Sequence, residues 1–262
     1  MKIYGRIIST VLTFAFIVLL SSCGSGGGGN TSSTTTTQMG GAKQGHVLTL
    51  NGTVSTLAGS SYSTDGTGSA ARFNYPQGIT TDGTNIYVAD TQNNTIRKVV
   101  IATGVVTTLV GSAGLSGSTD GTGSAALFNN PRGITTDGTN LYVVDSCNYT
   151  IRKVVIATGA VTTLAGSAGA AKGSTDGTGS AARFNFPQGI TTDGINLYVT
   201  DTQSNTIRKV VIATGAVTTL AGSAGASGST DGTGSAALFN YPLGITTDGT
   251  NLYVADGICQ QL

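Results

Sequence analysis

Glutamate and tryptophan are absent from this 262-residue chain, and histidine occurs once, as His46. Histidine is the commonest proton carrier near neutral pH, and His46 sits at the seam where the tether meets the first strand, so no His pair or His/Asp dyad can be built from the repeat positions. Charge is scarce too. Lys, Arg and Asp make up 10% of the residues and balance to +1, which excludes the strongly basic field of a general nucleic-acid binder. No helical stretch of useful length can be read, beyond one turn at SAARF (69–73). Low charge with 40 glycines would fit a disordered chain, but Val, Ile, Leu, Tyr and Phe recur at regular positions and supply a face to bury.

What is present is repetition. FNYPQGITTDGTNIYVAD at 73–90 returns with few changes at 128–145, 184–201 and 239–256, starting 55, 56 and 55 residues apart. A period of that size marks solenoids, propellers or arrays. All twelve acidic residues are Asp and fall at three repeat positions, those of Asp65, Asp82 and Asp90 in the first copy. Within one period the runs GITTD, NIYVAD, TIRKVVIAT and GVVTTLVG read as four strands, parted by the turn chemistry of DGT, TQNN and ATG. In NIYVAD, Ile86 and Val88 point one way and Tyr87 and Ala89 the other. Both faces are apolar, as a sheet packed between two others requires. A four-stranded antiparallel meander repeated about a centre is a propeller blade.

The first residues read as export and tethering signals. Lys2 and Arg6 precede the apolar run 7–20, which at about fourteen residues is too short for a bilayer needing about twenty. LSSC, ending at Cys23, resembles the lipobox of bacterial lipoproteins, a likeness that implies cleavage after residue 22 and a lipid anchor on Cys23. Gly24 at the next position implies the outer membrane by the same likeness. Residues 23–45, rich in Gly, Ser and Thr, read as a flexible tether, and 46–262 as the folded domain.

The succession Phe-Asn-x-Pro-x-Gly-Ile, Asp-Gly, Asn-Leu-Tyr-Val-Ala-Asp and Asn-x-Ile-Arg-Lys resembles the NHL repeat over nearly everything after residue 46. The resemblance implies an all-β propeller of four-stranded NHL-like blades. It also implies partners among proteins, peptides, carbohydrates or RNA, with lyases among a few relatives. The front segment 46–59 matches the last two strands of a blade and 244–256 the first two, so their pairing is expected to close a ring of about four blade equivalents. The tail DGICQQL leaves the pattern where TQNNTIRK is due, so the chain is either a four-bladed ring or a truncated piece of a larger propeller.

No catalytic residue, metal site or cofactor is assigned. Cys147 has no base beside it in sequence and Cys259 lies in the aberrant tail; their blades are two steps apart, which argues against a disulfide within one chain. STDGTGS resembles the turns of calcium loops but offers one carboxylate per copy, and Asp-Gly is first a turn signal. Asp90 and its copies are expected to accept hydrogen bonds from the loop that follows. Arg97 and Lys98 face opposite sides of a strand, which weakens a phosphate-binding reading. Copy-to-copy variation collects in the loop between the second and third strands and in the spacer between blades, which emerge on one face. The candidate contact residues there are Arg72 and Arg183 of the spacers, with Arg132; Gln92, Asn93 and Asn94; Asn148 and Tyr149; and Gln203, Ser204 and Asn205. The expected function is a lipid-anchored, non-catalytic recognition or scaffolding module of the bacterial cell envelope that takes a protein, peptide or glycan. A propeller lyase, or a truncated repeat product with no function of its own, is the alternative.

Overall fold

The structure, a computed structural model, describes residues 5–8, 55–59 and 63–257. Strand β1 (Gly5–Ile8) stands apart from the repeats in sequence. The first repeat forms β2 (Gly66–Thr67), β3 (Pro76–Thr81), β4 (Asn85–Asp90), β5 (Thr95–Val100) and β6 (Val105–Gly111). The second forms β7 (Gly121–Thr122), β8 (Pro131–Thr136), β9 (Asn140–Asp145), β10 (Thr150–Val155) and β11 (Ala160–Gly166). The third forms β12 (Gly177–Thr178), β13 (Ile190–Thr192), β14 (Asn196–Asp201), β15 (Thr206–Val211) and β16 (Ala216–Ala221), and the last copy gives β17 (Pro242–Thr247) and β18 (Leu252–Asp256). The fold is an all-β propeller type built from antiparallel blades.

Each whole blade has one strand more than the sequence pattern predicts. The order is β2-β6-β5-β4-β3, and the outermost strand comes from the Gly-Thr of the preceding spacer, with Gly66 opposite Val106. Two residues in a Gly-rich run carry no alternation, so nothing in the sequence marks them as a strand. The remaining hairpins follow turn chemistry. Asp82 Oδ1 accepts from the backbone N–H of Thr84 and Asn85 at 2.8 and 2.6 Å, while Gly83 takes φ 90°, a conformation costly for any residue with a Cβ. The SAARF turn is a short 3₁₀ turn at Gly68–Ala70.

Strand alternation builds the contacts between blades. Tyr87 and Ala89 pack with Ile96 and Val110 against Phe128, Ile134, Leu141 and Val143 of the next blade. The same positions recur one step on, where Tyr142, Val144 and Ile151 meet Phe184, Ile190 and Leu197. A third, smaller cluster joins Ile207 and Ala221 to Phe239 and Val254. Each large apolar side chain buried here contributes about 1.5–3 kcal/mol. At the inner strands the blades approach so closely that a Cβ on Gly133 would run into the Gln188 carbonyl of the following blade.

The buried polar centre of each blade is an arginine. Arg97 is fully buried, as are Arg152 and Arg208. Arg97 Nη1 donates to Asp90 Oδ2 at 2.9 Å and to the Arg72 carbonyl at 2.9 Å. Its Nη2 donates to Asp65 Oδ1 at 2.7 Å and to the Thr64 carbonyl at 3.0 Å. The guanidinium also lies 5.1 Å from the Phe73 ring centroid. Asp90 closes the network by accepting from the Asn74 backbone N–H and the Asn93 side chain, both at 2.7 Å. The expected bond to the following loop is therefore present, within a larger network.

Among the described residues the blades make an open arc. Ile79 is 68% exposed, whereas its equivalents Ile134 and Ile190 are 5% and 7% exposed. At the other end Ala255 is exposed and Tyr253 half-buried, where Tyr87, Ala89, Tyr142 and Val144 are fully buried. Of the segment expected to pair with 244–256, residues 46–54 lie outside the described residues. Residues 55–59 lie beside the first blade, the Leu57 carbonyl next to Gly104 just as the Leu109 carbonyl is next to Gly159. Strand β18 pairs with β1, Gly5 opposite Ala255 and Ile8 opposite Leu252. The tether, Cys23, His46 and Cys259 lie outside the described residues.

Arg152→Ala is expected to lower stability by about 3–5 kcal/mol, because it strands a buried carboxylate without its cation. Lys153→Ala, one residue on and half-buried, is expected to change stability by less than about 1 kcal/mol. Urea denaturation of the two variants checks the difference.

Candidate functional site

The loop between the second and third strands is a 3₁₀ turn, Thr91–Asn93, ending in Asn94 at φ 57°. Asparagine tolerates that left-handed conformation better than most residues, which is why Asn stands there in two copies. The spacer lies against this loop. Gln92 N–H donates to the Asn74 carbonyl at 3.1 Å, and Gly114 N–H to the Asn93 carbonyl at 3.2 Å. The two variable segments thus share one face, as the strand count predicts. The opposite turns also meet each other, Ile101 N–H donating to the Thr84 carbonyl at 3.1 Å.

The structure divides the predicted contact residues. Asn93, Asn94, Asn148, Ser204 and Asn205 are buried, 4–9% exposed, and their polar groups are engaged within the fold. Asn148 Nδ2 donates to Asp145 Oδ2 and to the Gly117 carbonyl, each at 2.7 Å. Asn94 Oδ1 accepts from Asn130 N–H at 2.8 Å, and Asn205 Oδ1 from Tyr241 N–H at 2.9 Å, so both tie one blade to the next. These five are corrected from contact residues to framework. An amide that varies among copies looked like surface in the sequence, but its loop folds inward onto the buried aspartate. Arg72, Gln92 and Gln203 are exposed, and Arg132, Tyr149 and Arg183 half-buried. Arg183 folds back, Nη1 donating to the Ala182 carbonyl at 2.8 Å.

The richest part of the face is the junction of the second and third blades. Tyr149 replaces the asparagine of the other copies at φ 58°, and its ring meets Phe186 edge-on, centroids 5.0 Å apart. Lys172 Nζ lies 5.2 Å from the Phe186 centroid. Nearby in the chain, Arg132 Nη1 donates to Gln188 Oε1 at 2.8 Å across the same junction. Sequence reasoning missed Phe186, Lys172 and Gln188. For Phe186 and Lys172 the signal was available, since FNFP and AAKGS are departures specific to the third copy, whereas Gln188 repeats Gln77 of the first.

The carboxylates have partners of their own. Asp82 Oδ2 accepts from Tyr87 Oη at 2.8 Å; burial opposes ionisation of that aspartate, but the Asn85, Thr84 and Tyr87 donors outweigh it and hold the group well below 3.8. Burial first, then the Asp82 hydrogen bond, pushes Tyr87 up to about 12. Asp65 binds Arg97 and the Thr108 N–H, so the DGTG aspartate belongs to the arginine network. Cys147 is a half-buried free thiol that burial pushes up, the reverse of an activated nucleophile.

No family model matches the chain. Among curated proteins it is similar to NHL repeat-containing protein 2 of Gallus gallus, 31% identical over 227 residues, covering 73% of this chain and 31% of that protein. It is also similar to NHL repeat-containing protein 2 of Homo sapiens, 35% identical over 145 residues, covering 52% of this chain and 20% of that protein. The chain therefore spans less than a third of the length of these relatives. Among solved structures it resembles an auxiliary nutrient binding protein from Bacteroides thetaiotaomicron, TM-score 0.53 at 20% identity, covering 68% of this chain and 46% of that one. Together with the repeat geometry these likenesses give the chain an NHL-repeat propeller fold.

Two groups of aspartates set the pH response. Burial pushes Asp145 and Asp201 up to about 6 against the donors around them, so their contribution to stability is full below about 3.8 and is lost as pH rises through about 6. Asp65, Asp82, Asp137, Asp176 and Asp193 are held below 3.8, so theirs is full above that value and is lost as pH falls. Melting followed by circular dichroism is expected to give a higher midpoint near pH 5 than at pH 7.5 or pH 2.5.

Proposed function

We propose that this chain is a non-catalytic recognition module of the bacterial cell envelope, anchored through lipid on Cys23, and that its loop-and-spacer face takes a protein, peptide or glycan. The observation that carries the reading is the Tyr149–Phe186 pair with Lys172 beside it, an aromatic and cationic group on a rigid junction between blades. Rings held in fixed positions offer stacking area at little entropic cost, and the neighbouring Arg132 and Gln188 offer hydrogen bonds that fix orientation. Gln92 and Gln203 extend the polar rim along the same face. A bound nutrient is named only for the structural neighbour, whose likeness supports the fold. The ligand class here rests on this chain's own side chains.

Capture of envelope components by immobilised protein tests the reading. Tyr149→Ala and Lys172→Ala are each expected to weaken capture about tenfold or more, as for anchors of an interface. Thr84→Ala and Thr139→Ala, in the turns of the opposite face, are expected to leave it unchanged. Capture that survives the first pair and is lost with the second would contradict the assignment.

The anchor has its own test. Intact-mass measurement of membrane-fraction protein is expected to show a chain that begins at an acylated Cys23, and Cys23→Ser to release the domain to the soluble fraction. An unmodified Cys23 in the membrane fraction would contradict the anchor.

A further inference from the structure

We infer that the ligand of the loop-and-spacer face is an acidic glycan, a chain of sugars bearing carboxylates, and that it is bound at the junction of the second and third blades. The inference rests on the recognition reading and narrows it to one class of ligand. Tyr149, Phe186 and Lys172 are three departures from the repeat, and all of them meet at this junction.

The first departure weakens the fold locally. At the junctions on either side, Asn94 and Asn205 take φ 57°, and their Oδ1 atoms accept from the N–H groups of Asn130 and Tyr241 in the next blade. Tyr149 holds the same left-handed conformation at φ 58°, which is unfavourable for an aromatic residue, and it has no amide to offer Phe186 N–H. A strained residue kept in one copy, where its counterparts supply a hydrogen bond, points to a demand other than folding.

The charges at the junction indicate what meets that demand. Each of the two blades has an aspartate in its spacer and one at the end of its second strand, and these are already engaged. Asp120 and Asp145 pair with Arg152, and Asp176 and Asp201 with Arg208. Asp137 and Asp193 lie in the turns of the opposite face, each bound by a tyrosine hydroxyl. Among the described residues neither Arg132 nor Lys172 is ion-paired. Two cations without counter-charges beside an aromatic pair suit an anion that also carries an apolar ring face.

A sugar ring offers C–H groups on one side and hydroxyls around its edge, which match an aromatic surface and the Gln188 amide respectively. In a uronate the carboxylate is attached to that ring. One residue of such a chain can therefore lie against the aromatic pair and answer Lys172, whose Nζ is 5.2 Å from the Phe186 centroid. An acidic peptide brings carboxylates but no ring to lie flat. A nucleic-acid strand carries a phosphate at every residue and calls for a track of cations, whereas two stand at this junction in a chain of net charge +1.

Titration calorimetry on the full-length protein in mild detergent tests the inference. The probes are oligomers of galacturonate and of alginate, with cello-oligosaccharides, oligo-aspartate and oligouridylate as competitors of other chemistry. At least one uronate is expected to bind, about tenfold or more tighter than the neutral oligomers, with an affinity that falls as salt is raised. Lys172→Ala is expected to weaken it about tenfold or more and Lys172→Arg to retain it. Tyr149→Asn, which restores the amide of the other copies, is expected to melt no lower than the wild type and to lose the uronate. Binding of neither uronate, equal affinity for the neutral oligomers, or tighter binding of oligo-aspartate or oligouridylate would overturn the inference. So would a Tyr149→Asn variant that melts lower than the wild type and binds the uronate as well, since Tyr149 would then serve packing alone. If neither uronate binds while capture of envelope components still depends on Tyr149, the acidic sugar is wrong and the recognition site stands; if capture is indifferent to Tyr149 and Lys172, the site itself is wrong.

Discussion

A guanidinium buried without water needs an acceptor for nearly every N–H it carries, and the rest of this fold is arranged to supply them. Arg97, Arg152 and Arg208 each reach one aspartate on the neighbouring strand and one in the spacer, plus two spacer carbonyls. The spacer is thereby fastened from inside the blade and contributes the outer strand that covers the last hydrogen-bonding edge. Each arginine leaves Nε without a partner and stacks over a phenylalanine, so packing covers the one site that hydrogen bonding does not. Buried ion pairs of this kind contribute little net stability but are expensive to break. Their effect here is to fix one path for a Gly-rich spacer that would otherwise have many.

That requirement accounts for which letters of the repeat stay constant. The DGTG aspartate, the YVxD aspartate, the phenylalanine and the IRK arginine all belong to one network, so changing one strands the others. The TTDG aspartate is held for a separate local reason, the turn and the tyrosine hydroxyl above it. Positions outside these networks vary: Gln92, Cys147 and Gln203 in the loops, Tyr149 against Asn94 and Asn205, and the alternation of Arg72, Leu127, Arg183 and Leu238. Variation is thus confined to places where a side chain can change without leaving a buried charge.

Much of the architecture was legible because its signals are local and repeated. Alternation in NIYVAD gave the two packing faces, and Asp-Gly gave the turns. The arginine network was not legible, since TIRK reads as a strand with Arg97 and Lys98 on opposite sides, and nothing in it shows that a spacer aspartate 32 positions away sits beside Arg97. The candidate surface was half legible for the same reason. Exposed Gln92 and Gln203 were found, but Asn93 and Asn148 are drawn inward by an aspartate whose burial only the packed blade reveals. The pairing expected of 46–59 with 244–256 falls mostly on residues outside those described.

The claim that the arginine networks hold loop and spacer to the blade is tested most directly by amide exchange under native conditions. The N–H groups of Asn74, Asn129 and Asn185 each donate to the buried aspartate of a network, at 2.7 Å. They belong to segments without regular strand structure, which ordinarily exchange by local opening. If the networks are the fastening, these amides exchange only with global unfolding, at the rate of the central strands. Exchange at the rate of the exposed turns, with the strands still protected, would contradict it.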